Sequence, residues 1–411
     1  MNIPCIKCKG ATPLQSCGRT FCPIVAKADS YFKVKKTITK EDFQSSSPTP
    51  FVGHNFYPNL YVGILSTPEQ REDAWLYDAP NHWAQHNFQI PEIVDYRSSL
   101  INSRFRVNVK QKTKFLEISQ EIGMASKPVD LEINLKEKPR FKLNTDSYLA
   151  PTGPNASLEQ AKITSNPKID SRVDKIVSDT DLKASHAMTY LYDHGFSENF
   201  LTKILSIGNL GIKPQRKLVP TRWSITATDD TLAKYILSEV KQYKESDYQA
   251  YFGNYLGNYF IILLFPEVWS YELFETYAPN AEWNISDQHQ FMTDYEPYDG
   301  RKTYADNCGG GYYAARLSIL EQLSKIKRQA SVLTLRFITG EYAVPLGVWV
   351  VREAVRKTMN TKPLTFSSKE LMLNYTTHLI RKKFSYNAEN LLKESIVLKE
   401  LSTQRKLTKF I

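Results

Sequence analysis

The sequence has no apolar run long enough to cross a membrane, and we expect no secretory leader. Its longest apolar candidate, "YFIILLFPEVW" at residues 259–269, is interrupted by Pro266 and Glu267 and is shorter than a bilayer requires. We therefore expect a cytoplasmic protein without a membrane partner. With 411 residues, the chain exceeds a typical single core, so two or more folded units are expected.

Cysteine is nearly absent beyond residue 22. Four of the five cysteines lie in "CIKCKGATPLQSCGRTFC", as Cys5, Cys8, Cys17 and Cys22, and the fifth is Cys308. The two closely spaced pairs predict a tetrahedral four-thiolate site, which Zn2+ fills preferentially. One structural zinc per chain would then supply the folding energy of this small segment. Two disulfides in an oxidising compartment or an iron–sulfur cluster are the alternatives.

The positive charge lies at the two ends of the chain. Residues 1–40 contain eight Lys or Arg residues and one acid, and residues 371–411 contain eight and three, within a net charge of +10. Basic ends on a near-neutral body predict contact with nucleic acid. The candidate phosphate-binding side chains near the cysteines are Lys7, Lys9, Arg19, Lys33, Lys35 and Lys36. A basic knob that only packs on the body is the alternative.

The order of apolar patterns predicts an α+β fold. The predicted segments are a zinc finger with its basic flank (1–36), a Ser/Pro-rich linker (37–50), a strand-rich region (51–150), a polar connector (149–171), a mixed helix and strand domain (171–400) and a tail (402–411). Strands are predicted at 56–66, 129–136 and 331–338, and a hairpin at 248–266. Helices are predicted near 173–206, 309–326, 347–359, 366–383 and 386–400.

One candidate for chemistry is "VPTRWSITATDD" at residues 219–230. Arg222 beside Trp223 can hold a phosphate while the indole stacks a base, and Asp229 with Asp230 can ligate Mg2+. The alternative is a short strand with Trp223 in a core, followed by a helix that Asp229 or Asp230 caps.

A second candidate is "DNCGGGYYAARL" at residues 306–317. Gly309–Gly311 precede a helix whose free backbone N–H groups can take an anion, with Arg316 nearby. The stretch lacks the P-loop ending and the dinucleotide-binding spacing, and a tightly packed turn is the alternative. His82 and His86 lack the glutamate of a zinc protease motif, and Arg352 and Arg356 are predicted to form a solvated stripe.

The last residues, "QRKLTKFI", place Gln404, Leu407, Phe410 and Ile411 on one side of one or two tight helical turns. Three of them form an apolar plug with the Gln404 amide at its rim. This is the pattern of the PCNA-interacting box, which docks on sliding clamps, with Ile411 in place of the usual final aromatic. An ordinary frayed tail is the alternative.

Several motifs together resemble those of the archaeal DNA repair proteins of the Nre family. They are the four-cysteine segment, "VPTRWSITATDD", "GGGYYAARL", "PLGVWVVREAVR" and the terminal box, and the resemblance spans nearly all 411 residues. It implies a role in repair of DNA damage, a zinc finger and a clamp-binding motif, but no particular reaction.

We therefore interpret the sequence as a DNA repair factor that the sliding clamp (PCNA) recruits and that contacts DNA through its basic zinc-bearing N-terminus. Two alternatives stay open. One is a nucleic-acid-processing enzyme, a nuclease or transferase, with Arg222, Asp229, Asp230, Arg316 and the glycine turn in its site and Mg2+ as cofactor. The other is an RNA-associated zinc protein.

Overall fold

The computed structural model describes Thr12, Gln15 and residues 22–37, 41–139, 152–279, 281, 283–284 and 286–403. The chain forms two compact units. The first unit comprises Met1–Leu232 with Val344–Leu346, and the second comprises Ala233–Ala343 with Gly347–Ile411.

The first unit is built on a six-stranded sheet. Its strands are β1 (Asp42–Ser47), β2 (Thr49–Val52), β3 (Asn59–Ser66), β4 (Ile101–Asn108), β5 (Val129–Leu135) and β6 (Asn155–Ile163). Their order is β1-β5-β6-β4-β3-β2, and only β4 and β6 run parallel. The helices are α1 (Pro23–Thr37), α2 (Pro80–Gln85), α3 (Ile90–Ser99), α4 (Lys114–Met124), α5 (Ser171–Ser178), α6 (Ala184–Asp193) and α7 (Glu198–Ser206), with 3-10 turns at Ala74–Asp78 and Lys213–Gln215.

Alternation along the strands separates a buried face from an outer face. Leu60, Val62 and Ile64 of β3 and Phe105 and Val107 of β4 belong to one apolar core. Helix α4 contributes three further residues to that core, Leu116, Ile118 and Ile122. The residues between these positions on β3 and β4 therefore project from the opposite face.

The predicted linker at 37–50 and the predicted connector at 149–171 are wrong, because both segments contain strands of this sheet. Ser45, Ser46 and Ser47 are buried, and their hydroxyls donate to Thr67 O at 2.7 Å, Asp130 Oδ1 at 2.6 Å and Leu65 O at 2.7 Å. A serine whose hydroxyl has a partner can be buried at little cost. The connector contains β6, which lies in the middle of the sheet.

Helix α8 (Thr221–Val240) begins in the first unit and ends in the second. The predicted strand and the predicted cap at Asp229 or Asp230 are wrong, since helical hydrogen bonding starts with Ser224 N donating to Pro220 O at 2.9 Å. The β-branched and aromatic residues in "WSIT" favoured a strand, but tertiary context overrides such preferences.

The second unit also contains a six-stranded sheet. Its strands are β7 (Tyr248–Tyr255), β8 (Asn258–Phe265), β9 (Ser270–Tyr277), β10 (Gln290–Glu296), β11 (Ser331–Ile338) and β12 (Leu364–Phe366), and its helices are α9 (Gly310–Ile326), α10 (Trp349–Met359), α11 (Lys369–Phe384), α12 (Glu389–Glu394) and α13 (Ile396–Thr403). The strand order is β10-β9-β11-β8-β7-β12, and only β9 and β11 run parallel.

Strands β8 and β11 are buried along their whole lengths, so both faces of this sheet are covered. On one face, Ile261 and Leu263 share an apolar cluster with Met372 and Ile380 of α11. The mixed α+β class is confirmed, as are the β7–β8 hairpin, the strand at 331–338 and the helix that begins at the glycine run. Within the described residues, no helix combines the length and apolarity that crossing a bilayer requires.

Candidate nucleic-acid interface

Arginines and an aromatic ring lie together on the outer face of the first unit's sheet. Tyr61 of β3 is directly opposite Arg106 of β4, and Gly63 is opposite Arg104. Directly opposite residues of an antiparallel pair project from the same face. The guanidinium carbon of Arg104 lies 5.1 Å from the centre of the Tyr61 ring, within the range of a cation–π interaction.

Only part of this face is covered by other elements. Farther along β3, Leu65 packs with Tyr77 of the first 3-10 turn and with Leu100. The cover does not extend to Tyr61, whose side chain is 37% exposed. Arg104 and Arg106 are also exposed. The open end of the sheet therefore presents cationic and aromatic groups to solvent.

The loop between β2 and β3 adds two exposed rings. Phe56 is 67% exposed and Tyr57 is 45% exposed. Phe56 has a φ of 68°, a conformation that bulky L residues rarely adopt and that glycine or asparagine adopts at less cost. Its ring lies 6.4 Å from that of Tyr61 and 5.9 Å from the Arg106 guanidinium carbon. Backbone preference thus does not account for a large aromatic residue at this position.

The first turn of α8 contributes an indole beside the same loop. Trp223 is 48% exposed, and its ring centre lies 5.6 Å from that of Tyr57. The helix start is tied to β2, because Val52 N donates to Thr221 Oγ1 at 2.9 Å. The alternative that placed Trp223 in a core is therefore wrong. We call the whole set the aromatic–arginine surface: Phe56, Tyr57, Tyr61, Arg104, Arg106 and Trp223.

Two backbone hydrogen bonds bring further basic segments next to this surface. Val109 N donates to Pro58 O at 3.0 Å, and Leu218 N donates to Val109 O at 2.9 Å. The exposed cations of these segments and of the α8 start are Lys110, Lys112, Lys217 and Arg222. We call these four residues the basic rim.

The arginines of this region are not neutralised by acids. Within the part of the chain that the structure describes, Arg104, Arg106 and Arg222 form no ion pair. A guanidinium without a carboxylate partner can bind a phosphate bidentately, and an exposed ring can stack a base. The arrangement therefore has the chemistry of a nucleic-acid interface.

The three predicted site residues of α8 differ in solvent exposure. Arg222 is exposed beside Trp223, whereas Asp230 is only partly exposed and Asp229 is fully buried at 0% exposure. Among the described residues, no group of three or more His, Cys, Asp or Glu side chains is placed to hold a metal ion. The Mg2+ interpretation of the two aspartates stays a prediction, and the geometry adds nothing to it.

The glycine run and Arg316 lie in the second unit. Gly309 has a φ of 54°, and α9 begins at Gly310. A Cβ on Gly311 would lie closer than 3.0 Å to Glu275 Oε1, because α9 passes closely over the buried ion pair of Glu275 with Arg336. Close packing therefore requires a glycine at 311, and the positive φ favours one at 309.

Arg316 is only 2% exposed, and its Nε lies 2.9 Å from Glu296 Oε1. Glu296 Oε1 also accepts a hydrogen bond from Trp269 Nε1. Burial and this ion pair leave Arg316 with almost no access to solvent.

Many of the predicted metal-binding, phosphate-binding and clamp-binding residues lie outside the described residues: Cys5, Cys8, Cys17, Lys7, Lys9, Arg19, Gln404, Leu407, Phe410 and Ile411. Cys22 immediately precedes α1, and Lys35 and Lys36 are exposed in the last turn of that helix. For Lys33 only the backbone, within α1, is described. The zinc site, the clamp box and the N-terminal DNA contact remain predictions.

The remaining candidate residues are in contact with other parts of the protein or are buried. The rings of His82 and His86 stack with their centres 3.9 Å apart. The predicted solvated stripe is wrong, because Arg352 is buried and Arg356 pairs with Glu321 at 2.8 Å. Cys308 is buried, and burial raises the pKa of its thiol well above the ordinary value, which makes the thiol unreactive.

Sequence reasoning missed most of the aromatic–arginine surface. The predicted strand-rich region at 51–150 includes β3 and β4, but the register that sets Arg106 opposite Tyr61 joins segments far apart in the chain. The available signal was the pair of arginines two positions apart in β4, at 104 and 106, since cations on an amphipathic strand mark its outer face.

Comparison with known proteins identifies the family to which the chain belongs. A family model described as "Archaeal Nre, N-terminal" matches residues 16–284, and one described as "Archaeal Nre, C-terminal" matches residues 296–410. The chain belongs to the archaeal Nre family. The resemblance predicted from the sequence motifs is thereby confirmed.

Relatives within the Nre family cover most of the chain. "DNA repair protein NreB" of Archaeoglobus fulgidus is 37% identical over 374 residues, covering 91% of this chain and 92% of the relative. "DNA repair protein NreA" of the same organism is 37% identical over 391 residues, covering 93% and 95%. "DNA repair protein NreA" of Haloferax volcanii is 39% identical over 319 residues, covering 75% and 76%. No solved structure matches the chain.

Proposed function

We propose that this Nre protein is a DNA-binding factor in DNA repair and that it holds DNA on the aromatic–arginine surface. The observation that carries the proposal is the placement of Arg104 and Arg106, which have no acidic partner among the described residues, beside exposed rings on one sheet face. The basic rim extends the positive charge along the edge of this surface. The names of the relatives as DNA repair proteins make DNA the favoured polyanion.

The double variant Arg104→Ala/Arg106→Ala tests this proposal through the salt dependence of binding. Each phosphate contact contributes about 0.7 to 0.9 to the slope of log K against log salt concentration. Loss of two contacts should therefore reduce the slope by about 1.4 to 1.8. The measurement is fluorescence anisotropy of labelled DNA between about 50 and 200 mM salt.

Lys325→Ala/Arg328→Ala is the matched control, because it also removes two exposed cations, at the end of α9 in the second unit and outside the two basic ends of the chain. We expect this control to keep the slope of the wild type. Equal loss in both double variants would show that only overall charge matters, and the surface would then not be the DNA site.

We further propose that the tail recruits the protein to the sliding clamp. Leu407 and Phe410 would enter an apolar pocket of the clamp. Gln404 would hydrogen-bond at the edge of this pocket, and Ile411 would complete the apolar contact. Leu407→Ala/Phe410→Ala should lose most of the affinity in titration calorimetry with PCNA, because both apolar anchors are removed. Ser402→Ala/Thr403→Ala, just before the box, should bind as the wild type does. Unchanged binding by the first variant contradicts clamp docking.

The N-terminal segment is proposed to hold one structural Zn2+ through Cys5, Cys8, Cys17 and Cys22. The spacing of these thiols supports the proposal. Elemental analysis should find about one zinc per chain, lost in Cys5→Ser/Cys8→Ser. The six basic residues Lys7, Lys9, Arg19, Lys33, Lys35 and Lys36 would then add phosphate contacts.

Thiol alkylation provides a second measurement of the zinc site. A chelator should make the four N-terminal thiols reactive, whereas Cys308 should react only after denaturation because it is buried. Iron in place of zinc, or four thiols that react without a chelator, would contradict the proposed site.

A further inference from the structure

We infer that the aromatic–arginine surface selects unpaired nucleotides, so that the DNA it holds is single-stranded. This inference rests on the proposed function of the same surface and adds the structural class of its ligand. It follows from the access of the rings, the shape of the sheet and the position of the arginines.

The rings of this surface are partly exposed, and a guanidinium lies over Tyr61 and over Phe56. Phe56, Tyr57, Tyr61 and Trp223 are 67%, 45%, 37% and 48% exposed. Within the two contacting pairs the ring planes meet at 74° for Phe56 with Tyr61 and at 47° for Tyr57 with Trp223, so neither pair is stacked face to face. In a duplex each base is covered by its neighbours, so an exposed protein ring stacks more readily on an unpaired base than on a paired one, which it reaches only by unstacking a base step.

The shape of the surface does not suit the groove of a duplex. The major groove of B-DNA admits an element as narrow as one helix or a two-stranded ribbon. Strand β2 pairs with β3 only at Val62–Leu65, and β6 pairs with β4 only at Asn102–Arg104. At Tyr61 and Arg106 the β2–β3 loop and the start of α8 lie beside the two strands instead, which makes the surface wider than such a ribbon. A broad sheet face that carries aromatic residues is a common platform for single strands.

The arginines are placed to contact phosphates between the stacked bases. Arg104 and Arg106 are two residues apart on β4, which separates their Cα atoms by about 7 Å on one face. Each guanidinium lies over a ring of the surface, Arg104 over Tyr61 and Arg106 over Phe56. A cation–π contact uses the face of the guanidinium plane and leaves its N–H donors for phosphate. Stacking rings that alternate with cations give sequence-tolerant single-strand binding.

Trp223→Leu tests the inference, with the full-length protein and labelled oligonucleotides of equal length as single-stranded dT and as duplex. The wild type should bind the single strand more tightly. Trp223→Leu should weaken single-strand binding by about 5- to 150-fold, because one stacking contact is lost, and should leave duplex binding unchanged. Trp223→Phe keeps a ring and should retain most of the affinity, which separates stacking from a folding defect.

Trp75→Leu is the matched control, since Trp75 is a similarly exposed indole, at 43%, in the 3-10 turn Ala74–Asp78. It should bind both DNA forms as the wild type does. Equal wild-type affinity for single strand and duplex, or equal effects of Trp223→Leu on both, overturns the selection of unpaired nucleotides. Stronger binding of oligo-U RNA than of oligo-dT would overturn the assignment to DNA.

The proposed function can survive failure of this inference. If duplex and single strand bind equally and Arg104→Ala/Arg106→Ala weakens both, the surface holds DNA but does not select its strandedness. If that double variant and Trp223→Leu both bind as the wild type does, both proposals fail.

Discussion

Phe56→Asn separates the structural from the functional role of the most exposed ring of the aromatic–arginine surface. Asparagine adopts a φ of 68° more readily than phenylalanine, which relieves about 1 kcal/mol. The variant loses the cation–π contact with Arg106, worth about 0.5 to 1 kcal/mol. It also loses the burial of about one third of the ring, because Phe56 is 67% exposed, and this is worth about 0.5 to 1 kcal/mol. The free energy of unfolding should therefore fall by only about 0 to 1 kcal/mol.

DNA affinity should respond differently, because a stacking ring is removed. We expect single-strand affinity to fall by about 5-fold or more. Urea denaturation measures the first quantity and anisotropy with labelled oligo-dT the second. Tyr304→Asn, which removes a 48% exposed ring from the second unit, should leave binding unchanged. A loss of stability near the 3 to 5 kcal/mol typical of a core aromatic, or unchanged DNA affinity, would refute the reasoning.

Two further predictions concern the interior of each unit. Gly311→Ala should lower the free energy of unfolding by about 1 to 3 kcal/mol, because the new Cβ would displace the Glu275 carboxylate from Arg336. Gly340→Ala is the control, because a Cβ at position 340 would have no atom within 4 Å. A Gly311→Ala protein as stable as the wild type would contradict the packing role of the glycine run. Burial lowers the pKa of Lys203 from 10.5 to about 8, so between these pH values the unfolded chain holds a proton that the folded protein has lost. The contribution of Lys203 to the free energy of unfolding should therefore rise with pH, by at most about 3 kcal/mol. The difference in free energy of unfolding between the wild type and Lys203→Met should show this rise, and a difference that does not change with pH would contradict it.

The parts of the fold that local patterns specify could be predicted from the sequence. The strand at 331–338 and the helix after the glycine run follow from continuous apolar runs and a turn-forming start. The buried Ser45–Ser47 segment could not be predicted, since each hydroxyl depends on a partner distant in the chain. The start of α8 was missed for a related reason, because β-branched residues favour strands until tertiary contacts decide.

The candidate site shows the same limit. Arg222 and Trp223 are adjacent in sequence, so their joint chemistry was predictable, and both are exposed. Tyr61, Arg104 and Arg106 form a cluster only through the register of β3 with β4. The sequence suggested that Arg316 binds an anion, but in the structure Arg316 forms an ion pair with Glu296 in the interior. Sequence alone did not reveal which cations lack an acidic partner.

Photo-crosslinking tests the central claim most directly. The full-length protein is irradiated with a bromouracil-substituted single-stranded oligonucleotide, and the attached peptides are identified by mass spectrometry. The account predicts crosslinks to the loop with Phe56 and Tyr57, to Tyr61 and to Trp223, and their loss in Arg104→Ala/Arg106→Ala. Crosslinks confined to the second unit, and unchanged in that variant, would contradict it.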